Sequence, residues 1–266
     1  MTDTAQNGHR PKEQVALPQR GWRIDPTHAL IATALCWAGF AAIVWMVETG
    51  RIATFDSAGL LLWRQGVDLR PAGPPWLLEA VRDVTALGGV LLRNLVALGA
   101  IAALLFVRLR REAVLLAATI IWGWLVNSLV KAAVGRPRPM IVPHLTEAGG
   151  QSFPSGHSFN AAVVYIAIAL AFAAMSARRG VRWTVIAVAV VLSVAIAVSR
   201  VWLGVHFPSD VAAGWLGGAG WAFLASAVLH RPAKAVAEQA RDALENMTPG
   251  TISANQKGPA TGEAPR

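Results

Sequence analysis

The sequence predicts an all-α, polytopic membrane protein: a six-transmembrane-helix bundle with short interfacial helices between spans one and two. Three observations lead there. Of 266 residues, 55% are hydrophobic and only 15% charged, with a mean hydropathy of +0.46, whereas a soluble domain carries about 25% charged residues. The apolar residues are gathered into blocks long enough to cross a bilayer. Short arginine-rich loops separate some of these blocks, as the positive-inside rule requires of cytoplasmic connections.

Residues 1–27 are polar, carry Arg10, Lys12, Arg20 and Arg23, and read as a disordered cytoplasmic tail. The first span is Ala29 to Val47, with Trp37 and Trp45 expected at the lipid or the interface. It lacks a small-residue cleavage site and is expected to stay as an anchor. Phe55–Arg64 and Trp76–Val84 mix apolar and charged residues at helical spacing, and Pro71, Pro74 and Pro75 separate them. Two helices lying along the membrane surface fit that pattern.

The second span is Leu87–Val107, with Arg93 and Asn94 near its start. A charge at that depth faces the bundle interior or snorkels to the interface, and a structural role is favoured. Arg108, Arg110 and Arg111 form a short basic loop. The third span, Ala113 to Val130, ends at Lys131. A proline-rich polar loop, 132–153, precedes the fourth span, His157 to Met175. Arg178, Arg179 and Arg182 make a second basic loop before the fifth span, Trp183–Val198. The sixth runs from Asp210 to Leu229. Residues 28–230 thus form the six-span domain, and 231–266 a second cytoplasmic tail, largely disordered after a helical stub.

The net charge of +9 does not point to nucleic acid, because the basic residues are scattered among loops and form no single face. Cys36, the only cysteine, excludes an intrachain disulfide and is expected to be a small core hydrophobe. With the N-terminus inside, the loops after the second and fourth spans are cytoplasmic and obey the positive-inside rule. Lys131, Arg136, Arg138 and Arg200 then fall on the opposite side. Charges that break the rule need another task, and binding an anion is the natural one.

Three segments meet on that extracytoplasmic face. Lys131 is followed after six residues by Arg138-Pro139. Pro154-Ser155-Gly156-His157 opens the fourth span. Ser199-Arg200, His206 and Asp210 lie between the last two spans. One helical hairpin returns the chain from the second segment to the third, so both reach the same surface. An imidazole with a carboxylate close by is a candidate activated nucleophile or base. A His-xxx-Asp pair is also half a metal site, but so many positive side chains beside one carboxylate argue against a cation.

These three segments resemble the signature of the type 2 phosphatidic acid phosphatase family, which also includes vanadium haloperoxidases and bacterial acid phosphatases. Every position matches in order, and the six-residue gap selects Arg138 over the competing Arg136-Pro137 pair. The resemblance covers Lys131 to Asp210 by motif and the six-span core loosely. It implies an integral membrane phosphatase, independent of metal and cofactor, acting on a phosphomonoester or diphosphate lipid such as phosphatidic acid, phosphatidylglycerol phosphate or a polyprenyl diphosphate. His206 is then the nucleophile, held by Asp210, and forms a phosphohistidine. His157 is the general acid and then the base. Lys131, Arg138 and Arg200 bind the phosphoryl oxygens, helped by Ser155 and Gly156 at a helix start. Transfer to an alcohol, halide oxidation with vanadate and lipid-phosphate transport are the alternatives; the oligomeric state is open.

Overall fold

The computed structural model describes residues 25–228, apart from residue 177; both predicted tails fall almost wholly outside that range. Among the described residues, eight α-helices and one two-stranded hairpin follow each other. Helix α1 (Pro26–Glu48) starts on Asp25, whose carboxylate accepts the Thr27 N–H at 2.8 Å. That is an N-cap followed by proline in the first turn, where a missing N–H costs nothing. Helix α2 (Ala53–Leu61) is short. Strands β1 (Arg64–Gln65) and β2 (Arg70–Pro71) pair antiparallel. Helices α3 (Pro75–Ala86), α4 (Val90–Phe106), α5 (Arg110–Val134), α6 (Gly156–Ala173), α7 (Arg179–Trp202) and α8 (Pro208–Val228) follow.

Helices α1, α5, α6, α7 and α8 are each long and apolar enough to cross a membrane alone. The second predicted span differs. Helix α4 has 17 residues, about 25 Å at 1.5 Å per residue, short of a hydrocarbon core of about 30 Å. It reaches span length only together with α3, from which it bends by 48° at Leu87–Gly89. The second predicted interfacial helix, α3, therefore runs into α4 through a sharp bend instead of standing apart from it. The first, α2, buries Asp56 and Leu60 while leaving Phe55 and Leu61 exposed. The short hairpin that follows it carries no apolar alternation and was not expected.

Backbone freed inside the membrane needs partners from the protein. At the break, Tyr165 Oη of α6 donates to Leu87 O at 2.7 Å, and Arg93 Nη1 donates to Gly88 O at 3.2 Å. Arg93 is thus a buried structural cation, facing inward.

Helix α6 is the centre of the bundle, with 61% of its apolar window buried against 6% for α1. It packs against α5, α7 and α8, and α8 packs in turn on α1. Small residues let these backbones close up, since lipid supplies no hydrophobic drive between helices. A Cβ at Gly218 would collide with Phe159 O of α6, and one at Gly220 would lie 3.0 Å from Cys36 Cβ of α1. Trp37, expected at the lipid or the interface, is half-buried, edge-on to Phe40 at 5.1 Å and beneath Gly220. Trp45 does face outward, with the Arg51 guanidinium over its ring at 4.6 Å. Ile121, Trp122 and Trp124 of α5 and Val188 and Val191 of α7 form exposed apolar faces suited to lipid.

Glycines on α8 should therefore respond in opposite directions from those facing lipid. Gly218→Val is expected to destabilise the bundle by about 1–3 kcal/mol through overpacking. Gly99→Ala, where nothing lies within 4 Å of the new methyl, should be neutral or stabilise by up to about 1 kcal/mol. Thermal unfolding of the two variants in detergent checks both signs.

Candidate active site

The three motif segments converge at one end of the bundle, and local chain chemistry explains how each is placed. Gly135 ends α5 in the left-handed conformation at φ 65°, its N–H bonded to Lys131 O. That turns the chain sharply into Arg136-Pro137-Arg138. Ser155 caps α6 and donates its own N–H to Asp210 O at 2.9 Å, which ties the second segment to the third. Gly214 lets α8 approach here, because a Cβ on it would sit 2.7 Å from Ser155 O. After α7, Gly204 turns at φ 79°, where a side chain would meet Pro143 O at 2.8 Å. Arg64 of the hairpin steadies this turn by donating to Trp202 O at 2.9 Å.

His206 is almost wholly buried, at 2% exposure. Arg138 Nη1 approaches its Nε2 at 3.1 Å. A guanidinium can only donate, so Nε2 carries the lone pair and Nδ1 the proton. Nδ1 faces Asp210 Oδ2 at 3.5 Å, a long contact. Oδ2 also accepts from Ser152 Oγ and, at 2.9 Å, from the Phe207 N–H. Burial pushes the His206 imidazole down to about 4, against the pull of Asp210 and with help from Arg138 and Arg200. The ring is therefore neutral at physiological pH, as a nitrogen nucleophile has to be.

The predicted phosphate-binding cations surround it. Lys131 Nζ donates to Gln151 O at 2.8 Å and Pro154 O at 2.9 Å, which leaves one of its three N–H groups for a ligand. Arg138 is braced by Gly149 O, Gly150 O and Val205 O. Arg200 lies inside the last turn of α7, not in a loop. Its Nη1 donates to Thr85 Oγ1 at 2.9 Å, and its Nε is buried with no partner among the described residues. An unpartnered buried donor is costly unless something answers it, and an anion would. His157 sits in the first turn of α6 beside Gly88 and within electrostatic reach of Arg138, Arg200 and His206. Ser155 is fully buried as a helix cap, its Oγ 3.5 Å from the Ser158 N–H, and Gly156 has open space around its Cα apart from Asn127.

One residue departs from expectation. Arg136 was grouped with the anion-binding charges, but it is already matched by two carboxylates. Its guanidinium donates to Asp210 Oδ1 and Asp56 Oδ2, each at 2.7 Å, and to Ser209 Oγ at 2.8 Å. Asp56, Ser152, Ser209 and Thr85 were not singled out from sequence. Asp56 had a usable signal, a lone carboxylate in the apolar run Phe55–Leu62; the others are ordinary polar residues far along the chain from their partners.

A helical bundle of membrane spans that carries a neutral, carboxylate-backed histidine ringed by cations belongs to the class of integral membrane enzymes handling phosphate esters. The PAP2 superfamily model matches residues 111–233. The chain is 36% identical over 149 residues to phosphatidylglycerophosphatase B of Bacillus subtilis, covering 53% of this chain and 70% of that protein. It is 33% identical over 121 residues to lipid A 1-phosphatase of Rhizobium etli, covering 42% of this chain and 47% of that relative, about half its length. The crystal structure of a transmembrane PAP2-type phosphatidylglycerolphosphate phosphatase from Bacillus subtilis superposes with a TM-score of 0.62 at 29% identity, covering 78% of this chain and 96% of that one. The chain belongs to the PAP2 superfamily and is a multi-pass membrane protein.

The depressed His206 value carries a linkage consequence. Between about pH 6.5 and about 4 the unfolded chain binds a proton at this site that the folded chain does not. Stability contributed here is full above that window and falls as pH drops through it. His206→Asn should lose less thermal stability than the wild type between pH 7 and about 4.5, measured by unfolding in detergent.

Proposed function

We propose that this protein is a metal-independent lipid phosphatase that works through a phosphohistidine on His206. The observation that carries the reading is the arrangement about the His206 ring, with Asp210 at Nδ1 and the Arg138 guanidinium at Nε2. A phosphoryl group whose oxygens take over the Arg138 Nη1 hydrogen bond would free the Nε2 lone pair for attack on phosphorus. The N–P bond forms as the P–O bond to the lipid breaks, and His157 donates the proton that the departing oxygen takes up. Asp210 balances the positive charge that develops on the ring. Water then attacks phosphorus, His157 takes its proton, and the N–P bond opens to release inorganic phosphate. Lys131, Arg138 and Arg200 neutralise the equatorial oxygens throughout. Ser155 and the first N–H groups of α6 add helix-terminus stabilisation.

The substrate class follows from the setting and the relatives. Phosphatidylglycerophosphatase B and lipid A 1-phosphatase are named for lipid phosphates, and a soluble ester would need no spanning scaffold. Phosphatidic acid, phosphatidylglycerol phosphate and polyprenyl diphosphates all present the group this site fits. The basic first turns of α5 and α7 lie at the opposite end of their helices from Lys131 and Arg200. Under the positive-inside rule this supports a site on the extracytoplasmic face of the cell membrane, with both termini cytoplasmic.

Replacing His206 with Ala should reduce phosphate release from a dioctanoyl phosphatidic acid by roughly a thousandfold or more. Undiminished turnover by that variant, assayed as pure protein in detergent, would sink the mechanism. Adding an alcohol and analysing the products separates hydrolysis from transfer. In a Cys36→Ser background, Glu147→Cys should react with an impermeant maleimide from outside intact cells; labelling only after lysis would reverse the topology.

A further inference from the structure

Asp210 is held from two sides. One oxygen, Oδ2, accepts from Ser152 and from the Phe207 N–H and lies 3.5 Å from His206 Nδ1. The other, Oδ1, accepts from Arg136 at 2.7 Å. Arg136 itself is fixed from three directions. Its second nitrogen ends on Asp56 Oδ2 at 2.7 Å, Ser209 Oγ accepts from Nη1, and the guanidinium lies over the Phe207 ring at 4.1 Å. Asp56, on α2 and 1% exposed, is in turn pinned to the start of α8 by the Ser209 N–H at 2.9 Å and the Ser209 hydroxyl at 2.6 Å. The hydrogen bonds of the Arg136 side chain go to Asp210, Asp56 and Ser209, and none goes to His206.

We infer that Arg136 and Asp56 form a positioning clamp for Asp210, and through it for His206, and that neither touches the substrate. The inference rests on the phosphohistidine reading above. A carboxylate free to rotate presents either oxygen to an imidazole. Arg136 occupies Oδ1 and so leaves only Oδ2 for Nδ1. Asp56 keeps Arg136 from swinging toward the phosphate site, where an extra cation would bind the substrate without aligning the nucleophile. Short helix α2, which carries none of the three motif segments, thereby becomes part of the catalytic framework.

The test uses the full-length protein in detergent with dioctanoyl phosphatidic acid as substrate and inorganic phosphate as competitive inhibitor. Arg136→Gln should lower kcat roughly 10- to 100-fold, the loss of a charge-assisted hydrogen bond. KM and the phosphate inhibition constant should stay within about twofold, because the binding cations are untouched. Arg136→Lys should recover part of the loss, and Asp56→Asn should show the same kcat-only defect in milder form. The double variant should be no worse than Arg136→Gln alone, since both act through one carboxylate. A raised KM or phosphate constant with kcat preserved would make Arg136 a substrate ligand and overturn the inference. Unchanged kinetics in Asp56→Asn and Arg136→Gln would reduce the cluster to a structural strap and overturn it as well. Should Arg136→Gln fail to fold, Asp56→Asn and Ser209→Ala carry the same comparison. His206→Ala runs alongside: if it is inactive while the clamp variants are normal, only the clamp falls, and if it is active the phosphohistidine reading falls first.

Discussion

Asp210 is a carboxylate with no exposure to water, and the site end of the bundle is built to answer it. A buried charge without donors costs several kcal/mol. Here the donors come from the 135–155 loop (Arg136, Ser152) and from the turn before α8 (Phe207 N–H, with His206 behind it). Satisfying one side chain therefore draws two distant segments together. Asp210 O reinforces this by accepting from the Ser155 N–H, so backbone and side chain of one residue join the three motif segments.

The motif residues were legible because their chemistry conflicts with their surroundings. Lys131, Arg138, Arg200, His157, His206 and Asp210 interrupt apolar blocks at fixed spacings, and a polar interruption at a span end stands out. Their supports did not stand out. Asp56 pairs with Arg136 across 80 positions and with Ser209 across 153, and Thr85 meets Arg200 across 115. No local pattern encodes such pairings. Arg136 was misjudged for the same reason: with its carboxylates out of sight, its charge looked available.

The spans were legible as apolar runs, with one instructive exception. Leu87–Val107 has span length and composition, yet its first residues include Gly88-Gly89, and the helix breaks there. Hydropathy measures how comfortable a segment is in lipid; it does not see a bend that packing imposes. Gly88 has to be small because a Cβ would run into Ile196 of α7 and press on the His157 ring at 3.2 Å. Hydropathy is equally blind to the contact between Trp37 and Gly220, residues far apart in the chain.

The same joint meets two motif residues, Thr85 against Arg200 and Gly88 against His157, and is held by the Tyr165 hydroxyl on Leu87 O. Tyr165 is the single tyrosine in the sequence, beside eleven tryptophans. A fluorotyrosine incorporated throughout the protein would therefore place its nucleus at one position only. Its resonance would report the state of the hydrogen bond to the joint between α3 and α4, in a spectrum that needs no assignment.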